Sequence, residues 1–196
     1  MHFSTALIAL AFTSFTSSFV IPADKTADGL YMVEIRSDGT EHITKVDEAP
    51  VAARDALSSP NPDTFEIVAR APNQIWCGCG FNMNPKNCDD AVSDVRRQLF
   101  DVAGPGGVGI IPVGQSFYAI KTNVVAFACN RGGRRYDISP SQFSGILGRI
   151  TDRCGRYISG AFQLGEEEYE LIVGYQRWSQ GTDFCRGATT SPANHC

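Results

Sequence analysis

Cysteine carries the most chemistry in this sequence. Seven occur, at Cys77, Cys79, Cys88, Cys129, Cys154, Cys185 and Cys196, and the first 76 residues hold none. Thiols at this density pair as disulfides in an oxidising compartment, or bind metal and do redox work in a reducing one. Metal chemistry is disfavoured. Cys77 and Cys79 lie two apart, but no second ligand pair follows at zinc spacing, and beyond His2 the histidines are only His42 and His195. Disulfides are therefore expected, and an odd count leaves one thiol over. In a strand Cys77 and Cys79 would face the same side, so each is expected to seek a different partner.

Other reactive types are sparse. Acid–base catalysis most often uses His, and the only one past Cys77 is His195, in the terminal tail beside Cys196. A cysteine nucleophile would lack a base held beside it. The stretch Gly104-Pro-Gly-Gly-Val-Gly109 is glycine-rich, but it follows a helical pattern instead of a strand and reads as a turn. Glu166, Glu167 and Glu168 could pair carboxylates for glycoside hydrolysis, yet they sit at the tip of an expected hairpin with no aromatic subsite beside them in sequence. The basic run Arg131-Gly-Gly-Arg134-Arg135-Tyr136 has the composition of a binding hot spot on an exposed loop, of a solubilising loop, or of a dibasic processing site. No catalytic residue, metal or cofactor is assigned.

The front of the chain sets the compartment. Residues 1–20 carry no Lys, Arg, Asp or Glu and include an apolar run at 6–12, which reads as a secretory signal peptide too short to span a bilayer. No other stretch approaches membrane-spanning length, so no stable membrane insertion is expected. Residues 21–76 hold ten acidic and five basic residues, whereas 77–196 hold eleven and twelve. This contrast marks 21–74 as an acidic pro-segment or N-terminal arm ahead of a cysteine-rich domain at 75–196. The acidic balance of the whole disfavours nucleic acid as a partner. Within the arm, residues 30–35 and 41–46 flank Asp38-Gly39, a hairpin signal. A lone hairpin is marginal in water and would have to dock on the domain. Residues 52–71 read as a linker.

The domain has a legible rhythm. Residues 75–81 suit a strand. Residues 89–103 place Val92, Val95, Leu99 and Val102 at helical spacing, and 108–113 with 116–129 supply two or three strands. Ser139, Pro140 and Gln142 form a helix start with a capping box, Phe143, Ile146, Leu147, Ile150 and Cys154 form one stripe, and Gly155 ends it. Residues 157–164 and 169–175 read as a strand pair, and the tail from Trp178 as loop. The order β-α-β-β-α-β-β gives an α+β fold, a two-layer sandwich of an antiparallel sheet with two helices, stapled by disulfides. Cys88 opens the first helix and Cys129 ends a central strand, so their union is the first bridge expected, joining layer to layer. Cys79, Cys154, Cys185 and Cys196 are the further candidates. The leftover thiol is expected at Cys77 or in the tail pair.

A set of short motifs adds to this. Cys-Gly followed by Phe81, Asn87-Cys88 opening a helix, Ala126-Phe-Ala-Cys129, a second helix, and Gly155-Arg-Tyr-Ile-Ser-Gly-Ala-Phe162 together resemble the fungal necrosis-inducing-factor effectors, small secreted proteins related in fold to α/β killer toxins. The resemblance covers about residues 77–175. It implies a secreted fungal virulence protein without established enzymatic activity, and a helix-to-strand bridge at Cys88 and Cys129. The expected function is binding of a host extracellular macromolecule, including inhibition of a host hydrolase such as a papain-like cysteine protease. The contacts would come from Arg131, Arg134, Arg135, Tyr136 and Glu166, Glu167, Glu168. The alternatives are a toxin acting on host membranes or channels, and a small carboxylate hydrolase.

Overall fold

The computed structural model describes residues 20–46, 73–100, 107–165 and 170–196. The signal segment, the expected linker at 52–71 and the Glu166, Glu167, Glu168 tip lie outside the described residues. The chain runs β1 (Gly29–Ile35), β2 (Glu41–Lys45), β3 (Asn73–Asn82), α1 (Pro85–Phe100), β4 (Gly109–Ile111), β5 (Gln115–Lys121), β6 (Val124–Asn130), β7 (Tyr136–Ile138), α2 (Pro140–Cys154), β8 (Ile158–Leu164), β9 (Leu171–Arg177) and a single-turn α3 (Phe184–Gly187). Seven strands form one sheet in the order β2-β1-β5-β6-β9-β8-β3, every neighbouring pair antiparallel. Strands β4 and β7 make a separate two-stranded ribbon. The fold is α+β with three disulfides.

The front hairpin is part of this sheet. Asp38 accepts hydrogen bonds from the Thr40 backbone N–H at 2.9 Å and its hydroxyl at 2.6 Å, and Gly39 takes φ 80° at the tip. That turn sets the register of β1 on β2, and β1 then pairs with β5 from Gly29↔Ile120 to Glu34↔Gln115. The marginal hairpin gains its stability by completing one edge of a larger sheet.

Strand alternation divides the core into two faces. On one, Phe117, Ala119, Val124, Ala126 and Ala128 of β5 and β6 lie under α1, while α2 packs on β3, β8 and β9. The alanines leave room for helix backbones to come close. Gly160 carries this furthest, because a Cβ there would lie 2.5 Å from Ile150 Cγ2 on α2. The helices present Ala91, Val95, Leu99, Phe143, Ile146 and Ile150, all buried. The α2 start is the capping box expected: Ser139 Oγ accepts from the Gln142 N–H at 3.2 Å, and the Ser139 N–H donates to Gln142 Oε1 at 2.8 Å. On the other face the side chains are bulky: Tyr31, Tyr118, Ile120, Val125, Phe127 and Cys129. Among the described residues their cover comes from Ile21 of the N-terminal segment and from Phe184, Cys185 and Ala188 of the tail, with Trp178 at its edge. Tyr31 stacks on Tyr118 at 4.9 Å, and Phe184 wedges between Tyr118 and Phe127 at 5.1 and 5.2 Å.

The disulfides correct one expectation. Cys88 and Cys129 are not joined. Cys77 bonds Cys154, Cys79 bonds Cys196, Cys129 bonds Cys185, and Cys88 is the free thiol, buried under α1. The reason is parity. Cys129 shares its face with Phe127, away from the helices, while Cys88 points into the helix side. A helix-to-strand staple does exist, but it is Cys77–Cys154, between β3 and α2. The leftover thiol is thus neither Cys77 nor a tail cysteine. Cys77 and Cys79 do take different partners.

Candidate functional site

The tail walls a concavity. After β9 the chain turns at Trp178, which donates its backbone N–H to Asn123 O at 2.8 Å, and α3 docks beneath the sheet through Cys129–Cys185. Asp183 caps this turn, accepting from the Arg186 N–H at 2.9 Å. The last residues then run along β3. The Cys77 N–H donates to Ala193 O at 2.8 Å, the Ser191 hydroxyl donates to Cys77 O, and Cys79–Cys196 ties the end down.

Between β3, β8, β9 and this tail lies a cleft of about 730 Å³. Such a volume falls within the ~300–1,000 Å³ of small-ligand sites. Trp76, Phe81 and Trp178 line it, and Trp76 and Trp178 are the chain's only tryptophans. Phe81 is the most exposed large apolar side chain among the described residues, at 56 %. Its ring lies over Gly78, where an added Cβ would stand 3.4 Å from Phe81 Cδ2 and 3.0 Å from Ser159 Cβ. The floor between the aromatics is therefore bare backbone. Gln176 and Ser159 join from the same sheet face, since Gln176 pairs with Val125 and Ser159 alternates with Ala161. Ser179, Thr190 and Ser191 add hydroxyls from the tail.

Trp76 is held by a polar chain. Trp76 Nε1–H donates to Gln163 Oε1 at 3.2 Å, Gln163 Nε2 donates to Glu170 Oε1 at 3.2 Å, and Arg131 Nε stands 3.7 Å from Glu170 Oε2. The Trp178 indole N–H is buried with no acceptor among the described residues. Among the described residues Arg177 is the one charged residue in the lining, and strand alternation sets its side chain with Val124 and Tyr175 on the helix face. The described lining contains no His, Asp or Glu, and its cysteines, Cys77 and Cys79, are both disulfide-bonded. A second concavity of about 400 Å³ lies on the helix side, where Arg149 sits 5.6 Å over the Phe162 ring.

The basic run is ordered differently from a free loop. Arg135 makes a fork to Asp137 at 2.6 and 2.8 Å, which keeps its guanidinium charged. Arg134 lies 5.2 Å over the Tyr136 ring, and Tyr136 is buried in β7, where desolvation raises its phenol pKa. The turn itself is pinned by Asn130, whose amide donates to the carbonyls of Ile111, Pro112 and Arg134 and accepts from the Gly132 N–H. Only Arg131 and Gly133 of this run are exposed. The structure thus brings Arg134, Arg135 and Tyr136 together as a ribbon contact, and links Arg131 to the cleft through Glu170. Neither Trp76, Phe81 nor Trp178 stood out in sequence, where each reads as an ordinary core aromatic; the signal was the placement of both tryptophans beside cysteines or the tail.

Among the described residues no group of three or more His, Cys, Asp or Glu is placed to hold a metal, and no helix is long and apolar enough to cross a membrane. No family model, curated protein or solved structure matches the chain.

Proposed function

We propose that this chain is a secreted, disulfide-stapled effector that acts by binding an extracellular macromolecule of a host, without catalysis. The observation that carries the reading is the cleft: three aromatic side chains converge on one preformed concavity whose walls are fixed by two bridges, Cys79–Cys196 and Cys129–Cys185. Aromatic anchors in a rigid site lose little conformational freedom on binding, which is the property a binding protein needs. The described residues of the lining include no His, Asp or Glu to act as an acid–base pair. Secretion is supported by three bridges, which persist in oxidising surroundings, together with the apolar N-terminal segment. The resemblance of residues 77–175 to the necrosis-inducing-factor effectors belongs to the same proposal, and the partner class widens from host proteins to host extracellular polymers generally.

The test is retention. Immobilised mature protein is challenged with the extracellular fluid and the cell-wall fraction of a plant host, beside Phe81→Ala and the surface control Ser144→Ala. Wild type and the control should retain the same material, and Phe81→Ala should lose most of it. Equal retention by Phe81→Ala would remove the cleft as the binding site, and no retention by wild type would remove the binding reading.

A further inference from the structure

The lining of the cleft carries its own information about ligand class, and any ligand assigned to it rests on the binding role proposed for the chain. Three features matter. The floor is aromatic, with Trp76, Phe81 and Trp178 around the bare backbone of Gly78. The rim is made of neutral groups, hydroxyls from Ser179 and Thr190 and the amide of Gln176. The only charge among the described lining residues, Arg177, belongs by strand parity to the opposite face.

We infer that the cleft takes a neutral glycan, a run of sugar rings with flat C–H faces. A pyranose ring offers an apolar C–H surface that stacks on an indole or phenyl face, and hydroxyls at its edge that bond to amides and hydroxyls around it. That division matches an aromatic floor with a neutral hydroxyl and amide rim. Of the rim groups, Gln176 makes no side-chain hydrogen bond among the described residues, so its amide has both donors and its acceptor to offer. Ser179 and Thr190 are engaged with Thr182 and Gly187 O, yet each hydroxyl oxygen keeps accepting capacity. A polyanion finds no cluster of cations in the lining to neutralise it. An extended peptide is disfavoured by the sheet edge. Peptides commonly add as a strand, through main-chain hydrogen bonds to an open edge. Here the β3 edge at the cleft is taken by the chain's own tail, since Cys77 N–H donates to Ala193 O and Cys77 O accepts from Ser191. The surface left open is made of side chains, which suits stacking.

Because both tryptophans line the cleft, their emission reports on it directly. The experiment titrates the full-length mature protein with cellohexaose, chitohexaose, oligogalacturonate and a neutral hexapeptide, following tryptophan fluorescence. At least one neutral hexasaccharide should give a saturable change. Phe81→Ala, which keeps both reporters, should weaken that ligand by tenfold or more, and Ser144→Ala should not. Circular dichroism of Phe81→Ala identifies any loss of fold, and Gln176→Ala serves as a second cleft variant with an expected several-fold weakening. No response to either neutral hexasaccharide would overturn the inference. So would a tighter response to oligogalacturonate, or a response to the hexapeptide alone. If host material is retained in a Phe81-dependent way while both neutral sugars are silent, the glycan assignment fails and the binding reading stands. If Phe81→Ala retains host material as wild type does, the binding reading itself fails.

Discussion

The two faces of the sheet are closed by different means. The helix face is sealed by two amphipathic helices, α1 over the small residues Ala119, Ala126 and Ala128 of β5 and β6, and α2 with Phe143, Ile146 and Ile150 over β3 and β8. Sixteen- and fifteen-residue helices bring their own hydrogen bonds and large apolar stripes, so that layer forms a continuous core. The opposite face has bulkier strand residues, and among the described residues only a short N-terminal segment and a single-turn helix cover them. Four residues of helix cannot supply a stable layer alone, and here Cys129–Cys185 and Phe184 hold the cover in place. The thin cover also leaves room for a cleft. One face therefore carries most of the packing, and the other gives up some possible burial to keep an open aromatic surface.

Removing the bridges one face at a time breaks this comparison most sharply. Cys77→Ala with Cys154→Ala, and Cys129→Ala with Cys185→Ala, release chain separations of 77 and 56 residues. Chain entropy gives both a loss of about 4 kcal/mol. They should differ in pattern: limited proteolysis should cut beyond Trp178 only in the Cys129 and Cys185 variant, because the helix face retains its packing. Identical cleavage in the two variants would erase the proposed distinction.

Accessibility sets the next effect. Cys79 and Cys196 are exposed, whereas Cys77, Cys154, Cys129 and Cys185 are at most 3 % exposed. Attack by a thiolate on a disulfide needs a path to the sulfur. Low dithiothreitol should reduce Cys79–Cys196 first, yielding two alkylatable thiols by mass spectrometry together with oxidised dithiothreitol. Tryptophan emission should shift with that step, since the freed tail walls the cleft. Alkylation appearing first at Cys129 or Cys154 would contradict the ordering.

The helix face also holds a thiol that the tail face lacks. Burial, with a smaller push from Asp89, raises Cys88 from 9.0 to about 12. Above pH 9 the unfolded chain gives up this proton while the folded chain keeps it, so the unfolded state binds fewer protons and stability falls as pH rises. The contribution is whole below pH 9 and lost by about 12. The buried tyrosines Tyr118 and Tyr175 act in the same direction, both raised chiefly by burial. A Cys88→Ala variant should therefore show a shallower fall in Tm between about pH 9 and 11, and an unchanged slope would refute this role for Cys88.

The smallest effect concerns Arg131. Its ion pair with Glu170 is part-exposed and worth roughly 0–1 kcal/mol. Arg131→Ala should leave Tm nearly unchanged, yet it should alter the Trp76 emission through Gln163 and Glu170. No spectral change would detach the basic turn from the cleft.

Much of the fold is legible in the residues. The α2 capping box, its apolar stripe and its glycine exit are local signals, each set by residues close together in the chain, and the Asp38-Gly39 turn is equally local. Parity is local too: in Val-Val-Ala-Phe-Ala-Cys, the alternation of small and large residues already separates Cys129 from Ala128. That alternation assigns Cys129 to the bulky face, but that Cys88 lies on the other face is settled only by where α1 packs. The site is less legible. Trp76 and Trp178 lie far apart in the chain, and only the β3–β8–β9 pairing with the returning tail brings them together. The basic run misleads because its Asn130 pins to Ile111 and Pro112 depend on β4 lying beside β7, whereas its ion pair and ring contact are made between residues two apart.

Sequence alone determined the α+β class, the two long helices, both ends of α2, the hairpin turn and the presence of a disulfide framework, while α1 begins at Pro85, four residues before the expected 89. These follow from periodicity, capping and composition, which act over a few residues. Tertiary structure decided the pairing of the cysteines, the docking of the hairpin on β5 and the convergence of three aromatics under the tail. Each of those depends on which face of the sheet a distant segment covers, and that is settled only when the layers compete for the same apolar surface.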